Sequence, residues 1–114
     1  MRKVLLNCLW VAIAAGCCAA VATSRPDLTA NIKIENFSFE PRSITIATGT
    51  TVTWTNADDV PHTAREKGEN PTFDSGALDT DDKYSFTFTK PGTFNYYCKV
   101  HPHMTGTIVV KDSN

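Results

Sequence analysis

From residue 29 onward the chain alternates apolar and polar positions with a period of two, in one short run after another. "NIKIENFSF" alternates with Ile32 and Ile34, then with Phe37 and Phe39. "SITIAT" does the same with Ile44 and Ile46, and "TTVTWTN" with Val52 and Trp54. "KYSFTFT" sets Tyr84, Phe86 and Phe88 opposite Ser85 and Thr87. "TFNYYC" gives Phe94, Tyr96 and Cys98 a common face, and "GTIVV" supplies a last strand. Side chains of a strand point alternately to its two faces, so this pattern in β-branched and aromatic residues predicts half-buried strands. "EPRS", "TGT" and "KPGT" read as tight turns, and "NADDVP" and "REKGENPTFDSG" as polar loops. No run of eight or more residues carries an apolar stripe at helical period. Seven or eight short strands in about 85 residues predict an all-β, two-sheet sandwich of about eight strands with Greek-key connections.

The first residues follow different rules. A basic "MRK" precedes the apolar run "VLLNCLWVAIAAG", which is short for a membrane-spanning helix. "AVA" at Ala20–Ala22 has the small-x-small form of a cleavage site. Residues 1–22 are therefore expected to be a secretory signal peptide cut after Ala22, with residues 23–28 a short leader and residues 29–114 one domain. The alternatives are an uncleaved anchor, or lipid attachment at Cys17.

Removal of that segment takes Arg2 and Lys3 with it, leaving 9 basic against 12 acidic residues, a net charge of −3. That balance excludes the usual basic nucleic-acid binder. No second apolar stretch is long enough to cross a membrane. Of four cysteines, Cys8, Cys17 and Cys18 fall in the expected signal peptide, so Cys98 stands alone in the remainder and can form no internal disulfide. A single thiol in an exported protein is either a buried small hydrophobe or a metal-held thiolate.

The stretch "YYCKVHPHM" favours the second reading. Cys98, His101 and Met104 are each three residues apart, so a tight loop can turn all three toward one point. His103 is out of phase and is expected to be an exposed neighbour. A fourth donor must come from elsewhere, and His62 in "DDVPHTA" is the remaining histidine. His62, Cys98, His101 and Met104 together make two imidazoles, a thiolate and a thioether, the donor set of a blue-copper site. Zinc is a poorer fit, because structural zinc sites use cysteine and histidine without methionine. Copper oxidases and reductases require further histidines for further coppers, and this chain has three in all.

With these residues in place, the chain resembles the cupredoxins, small type 1 blue copper proteins of the amicyanin and plastocyanin kind. The similarity runs over nearly all of residues 29–111, through "FSFEPRSITIATGTTVTWTNADDVPHT", "FDSGAL" and "YSFTFTKPGTFNYYCKVHPHMTGTIVV". It implies an eight-stranded Greek-key sandwich with one copper near one end, no enzymatic activity, and one-electron shuttling between redox partners. It implies the same four ligands, and assigns to Asn56 the tying together of the two ligand loops and a backbone hydrogen bond near the cysteine sulfur. The two residues between His101 and Met104 match the short amicyanin loop. Export by the signal peptide predicts a periplasmic protein, expected to be a monomer; the resemblance further implies transient docking through an apolar patch around His101, built here from Pro61, Val100 and Pro102. Asp58, Asp59, Asp79, Asp81 and Asp82 would steer a basic partner. A periplasmic copper carrier that delivers the ion is the alternative function.

Overall fold

The computed structural model describes residues 28–112. The expected signal peptide, its cut after Ala22, residues 23–27 and Cys17 lie outside the described residues. Eight strands follow in chain order: β1 (Thr29–Glu35), β2 (Ser38–Glu40), β3 (Ser43–Ala47), β4 (Thr50–Asn56), β5 (Arg65–Glu66), β6 (Lys83–Phe88), β7 (Gly92–Tyr97) and β8 (Thr105–Lys111). They form two four-stranded sheets, ordered β2-β1-β4-β6 and β3-β8-β7-β5. Among the described residues there is no helix, and none is long and apolar enough to cross a membrane.

After β2 the chain switches sheet at nearly every connection, as a Greek-key sandwich requires. Each sheet contains one parallel pair, β1 with β4 and β3 with β8. Parallel neighbours cannot be joined by a hairpin, so these pairs are closed by arches across the sandwich. The alternation read from the sequence sets the faces. β4 buries Thr50, Val52, Trp54 and Asn56 and turns the intervening threonines outward. Thr51 and Thr53 there meet Thr87 and Ser85 of β6 through hydroxyl contacts of 2.7 Å. Trp54 sits at the centre of the core, stacked on Phe73 at 5.3 Å and edge-on to Tyr96 at 5.5 Å.

The structure departs from the sequence reading at two places. Phe37 does not join Phe39 on the inner face. It lies in the two-residue turn between β1 and β2, with φ of 57°, and is 53% exposed. Only Phe39 continues inward, because the turn consumes the intervening positions. The stretch "REKGENPTFDSG" is not wholly loop: Arg65 and Glu66 pair with β7, and Phe73 is buried in the core.

Candidate metal centre

β7 delivers Cys98. Phe94, Tyr96 and Cys98 share one face by the period of two, and Cys98 is fully buried one residue beyond the strand's end. The loop that follows is two turns in succession. The His101 N–H donates to the Cys98 carbonyl at 3.2 Å, and the Met104 N–H donates to the His101 carbonyl at 2.8 Å. The Cys98 N–H closes the loop on the Met104 carbonyl at 3.0 Å. The three-residue spacing thus becomes one turn per interval. Met104 is buried and enters β8, while Pro102 and His103 are exposed, as expected from their phase.

His62 arrives on the arch between β4 and β5, which crosses from one sheet to the other. Its backbone is fixed to Leu78 by a reciprocal pair of hydrogen bonds of 3.1 and 2.8 Å. The ring is fully buried. Its Nδ1 lies 3.7 Å from Cys98 Sγ, and His101 Nδ1 lies at the same distance from that sulfur. The three donor atoms fall within 4.8 Å of one another. Bond lengths of roughly 2.0 Å to nitrogen and 2.3 Å to sulfur give a nitrogen–sulfur separation near 3.7 Å when the two subtend about 120° at a shared ion. Each imidazole nitrogen thus lies at a distance from the sulfur that lets the two share an ion, and His-His-Cys is the strong donor set of a blue-copper site. Met104 is held beside them through its backbone bonds to Cys98 and His101.

The role expected of Asn56 is divided. Asn56 is buried, and its Nδ2 donates to the Val60 and Leu78 carbonyls at 2.9 and 2.8 Å. It braces the arch that carries His62, but it does not reach the sulfur. Thr63 does. Its N–H donates to Cys98 Sγ at 3.3 Å, and its Oγ1 accepts the Lys99 N–H at 2.8 Å. Thr63 thus ties the two ligand loops and supplies the donor to the thiolate. Its only signal in the sequence is adjacency to His62.

Two more residues escaped the sequence reading of the site. Phe37 sets its ring edge-on to His62 at 5.3 Å and to His101 at 4.9 Å. Asp58, read there as a surface acid, places Oδ2 at 2.8 Å from His62 Nε2. Desolvation pulls its carboxyl upward, but the N–H groups of Phe37 and Asn36, with His62, outweigh it and hold the group below the ordinary carboxylate range. On the opposite flank of His62 runs a shallow groove with Pro61, Ala77 and Val100 in its wall.

Residues 26–111 match the family of copper binding proteins described as plastocyanin/azurin. Amicyanin-alpha of Methylorubrum extorquens is 35% identical over 103 residues, spanning 88% of this chain and 86% of that protein. Among solved structures, a purple cupredoxin from Nitrosopumilus maritimus aligns with a TM-score of 0.67 at 34% identity, covering 72% of this chain and 99% of that one. A copper-containing nitrite reductase from Thermus scotoductus aligns with a TM-score of 0.69 at 32% identity, over 80% of this chain and 24% of the reductase. The two-sheet sandwich, the two imidazoles facing one thiol and the sequence match agree: this chain belongs to the plastocyanin/azurin family of copper-binding proteins, and copper is its cofactor.

Proposed function

We propose that the protein is an exported, monomeric, type 1 copper carrier that passes single electrons between redox partner proteins in the periplasm. The observation that carries this reading is the convergence of one donor atom each from His62, Cys98 and His101 within 4.8 Å, from two loops far apart in the chain. These three and the Met104 thioether would hold one copper, which supplies a one-electron couple when bound. Four protein donors leave no position for a substrate, which supports a carrier rather than an enzyme. The nitrite reductase alignment is consistent with this, since it spans about a quarter of that chain.

The chain's own contribution is rigidity and access. Cys98 must lose its proton to become a ligand, and the Thr63 N–H stabilises the thiolate. The hydrogen-bonded turns and the buried His62 ring fix the donors, so little rearranges between oxidation states. His101 is partly buried, and Pro102 beside it is exposed, as are Pro61 and Val100, the last 57% exposed. It is the exit for the electron through a small apolar face suited to a weak, transient complex. Residues 1–22 are the export signal in this reading.

The test is a visible absorption spectrum of the purified mature protein, residues 23–114, after Cu(II) addition and then after ascorbate. An intense thiolate-to-copper band that bleaches on reduction and returns on reoxidation is expected, and Cys98→Ser abolishes it. A colourless wild-type protein would sink the reading. Rapid loss of copper to a competing chelator, with no reversible cycle, would favour delivery of the ion instead.

A further inference from the structure

Asp58 is absent from the proposed donor set, yet its carboxylate gathers donors from separate segments. Oδ1 accepts the Asn36 N–H at 2.8 Å, and Oδ2 accepts the Phe37 N–H at 3.0 Å. Oδ2 also lies 2.8 Å from His62 Nε2. Asp58 is itself held in place. Its N–H donates to the Asn56 side-chain oxygen at 2.9 Å, and its carbonyl accepts the Thr80 hydroxyl at 2.7 Å.

An ionised carboxylate can only accept. In this contact the ring proton of His62 must therefore sit on Nε2. Nδ1 then carries the lone pair, and Nδ1 is the nitrogen 3.7 Å from Cys98 Sγ. The other two donors lie in a strained turn. Asn36 and Phe37 have φ of 55° and 57°. That left-handed region suits asparagine, but is unusual for phenylalanine. Such strain persists where the surroundings over-determine it, and here one carboxylate caps both N–H groups. The turn's effect is to stand the exposed Phe37 ring against both imidazoles, each at an interplanar angle of 89°.

We propose that Asp58 is a positioning residue for the metal centre: its carboxylate fixes His62 as the Nε2–H tautomer and pins the turn that braces Phe37 against His62 and His101. The inference rests on the reading of those two histidines as ligands. Asp58 as a mere turn cap would affect stability and leave the tautomer of His62 alone. The substitution Asp58→Asn tells the two roles apart by the tautomer it leaves. A carboxamide has one accepting oxygen: with that oxygen kept on the Asn36 N–H, its NH2 takes the Oδ2 place and the Phe37 N–H loses its acceptor. That NH2 would then face His62 Nε2 and donate to it, moving the ring proton to Nδ1, the nitrogen needed by copper.

The experiment is nitrogen-15 NMR of the histidine rings, in the Cu(I)-loaded and metal-free protein, together with copper affinity by chelator competition. Wild type should show the Nε2–H tautomer in both forms. D58N should show Nδ1–H when metal-free and bind copper about 10–100-fold more weakly, while Asp58→Glu restores the wild-type tautomer. An Nδ1–H tautomer in metal-free wild type would overturn the proposal without any variant, should D58N fail to fold. So would a D58N protein with lower melting temperature but unchanged tautomer and affinity. A wild type that binds no copper, yet switches tautomer in D58N, would leave Asp58 orienting the ring and remove the metal reading alone.

Discussion

Tyr96 shows how closely one residue can be constrained. It is fully buried, edge-on to Phe39 at 4.6 Å and to Trp54 at 5.5 Å. Across the ladder its partner is Gly106. A Cβ at position 106 would stand 2.7 Å from Tyr96 Cε1 and 2.5 Å from its hydroxyl oxygen, well inside contact distance. The ring cannot retreat through a packed core, so Gly106→Ala should destabilise by about 3 kcal/mol, the upper end for overpacking. A urea melt with its midpoint unchanged would contradict this. The hydroxyl makes the opposite case. It is buried beside the Trp54 indole, with neither group making a hydrogen bond of good geometry among the described residues. Tyr96→Phe removes an orphaned polar group, so stability should hold or rise by about 1 kcal/mol. Burial also pushes this phenol well above its ordinary value of 10.0. The raised group favours the fold fully below pH 10.0 and loses that contribution as pH rises toward the folded-state value. Wild type should therefore weaken above pH 10.0 relative to Tyr96→Phe. Parallel alkaline melts would show otherwise. Sequence alternation correctly put Tyr96 and Cys98 on one face. It could not reveal the Gly106 contact, Thr63 at the sulfur or Asp58 at His62, since these depend on register between strands distant in sequence.

At the scale of elements, β5 and the loop behind it form a clasp that no periodicity announces. A lone phenylalanine in a polar run has no pattern, so Phe73 was not legible as core. It is nonetheless buried against Trp54, and polar contacts hold its loop in place. Arg65 Nη1 meets Asp74 Oδ2 at 2.9 Å, and the Ala64 N–H donates to Ser75 Oγ at 2.8 Å. The Asp74 carboxyl sits below its ordinary 3.8, chiefly through the Gly76 N–H, against desolvation and with help from Arg65. A depressed carboxyl contributes stability above 3.8 that is lost as pH falls through the folded-state value. The pair is solvent-accessible, so Asp74→Asn should cost no more than about 1 kcal/mol near neutrality. That deficit should close in strong acid. Thermal melts in a series from pH 7 down into strong acid check it, and a gap that stays constant along the whole series would assign the cost to geometry instead of charge. Turns and long strands were legible here because proline, glycine and alternation act locally. β5 was not, because two residues acquire strand character only from β7 beside them.

For the whole molecule, the important fact is that the proposed donors come from two connections far apart in the chain. His62 stands on the arch that leaves β4 in one sheet for β5 in the other, whereas Cys98, His101 and Met104 join β7 to β8 within the second sheet. An ion shared by them would tie that arch to the β7–β8 loop. The unfolded chain separates Cys98 from His62 by 36 residues and presents no preformed site. Copper therefore binds the folded state preferentially and stabilises it by mass action, by about 2.7 kcal/mol when free metal is 100 times its dissociation constant. For a domain of this size each kcal/mol raises the melting temperature by about 4–8 °C. Saturated protein should then melt roughly 10–20 °C above the metal-free form. Cys98→Ser should lose most of that difference, each protein being compared with its own metal-free melt so that any cost of a hydroxyl at this buried position cancels. Calorimetry of the four samples decides between this and a site on one loop only. If His62→Ala kept the full copper-dependent gain, the metal would be held by the Cys98–Met104 loop alone and would not bridge the two connections. If the gain fell in both variants, the ion is a cross-link as well as a redox centre, and the stiffness that suits electron transfer is supplied by the same bonds that hold the arch to the loop.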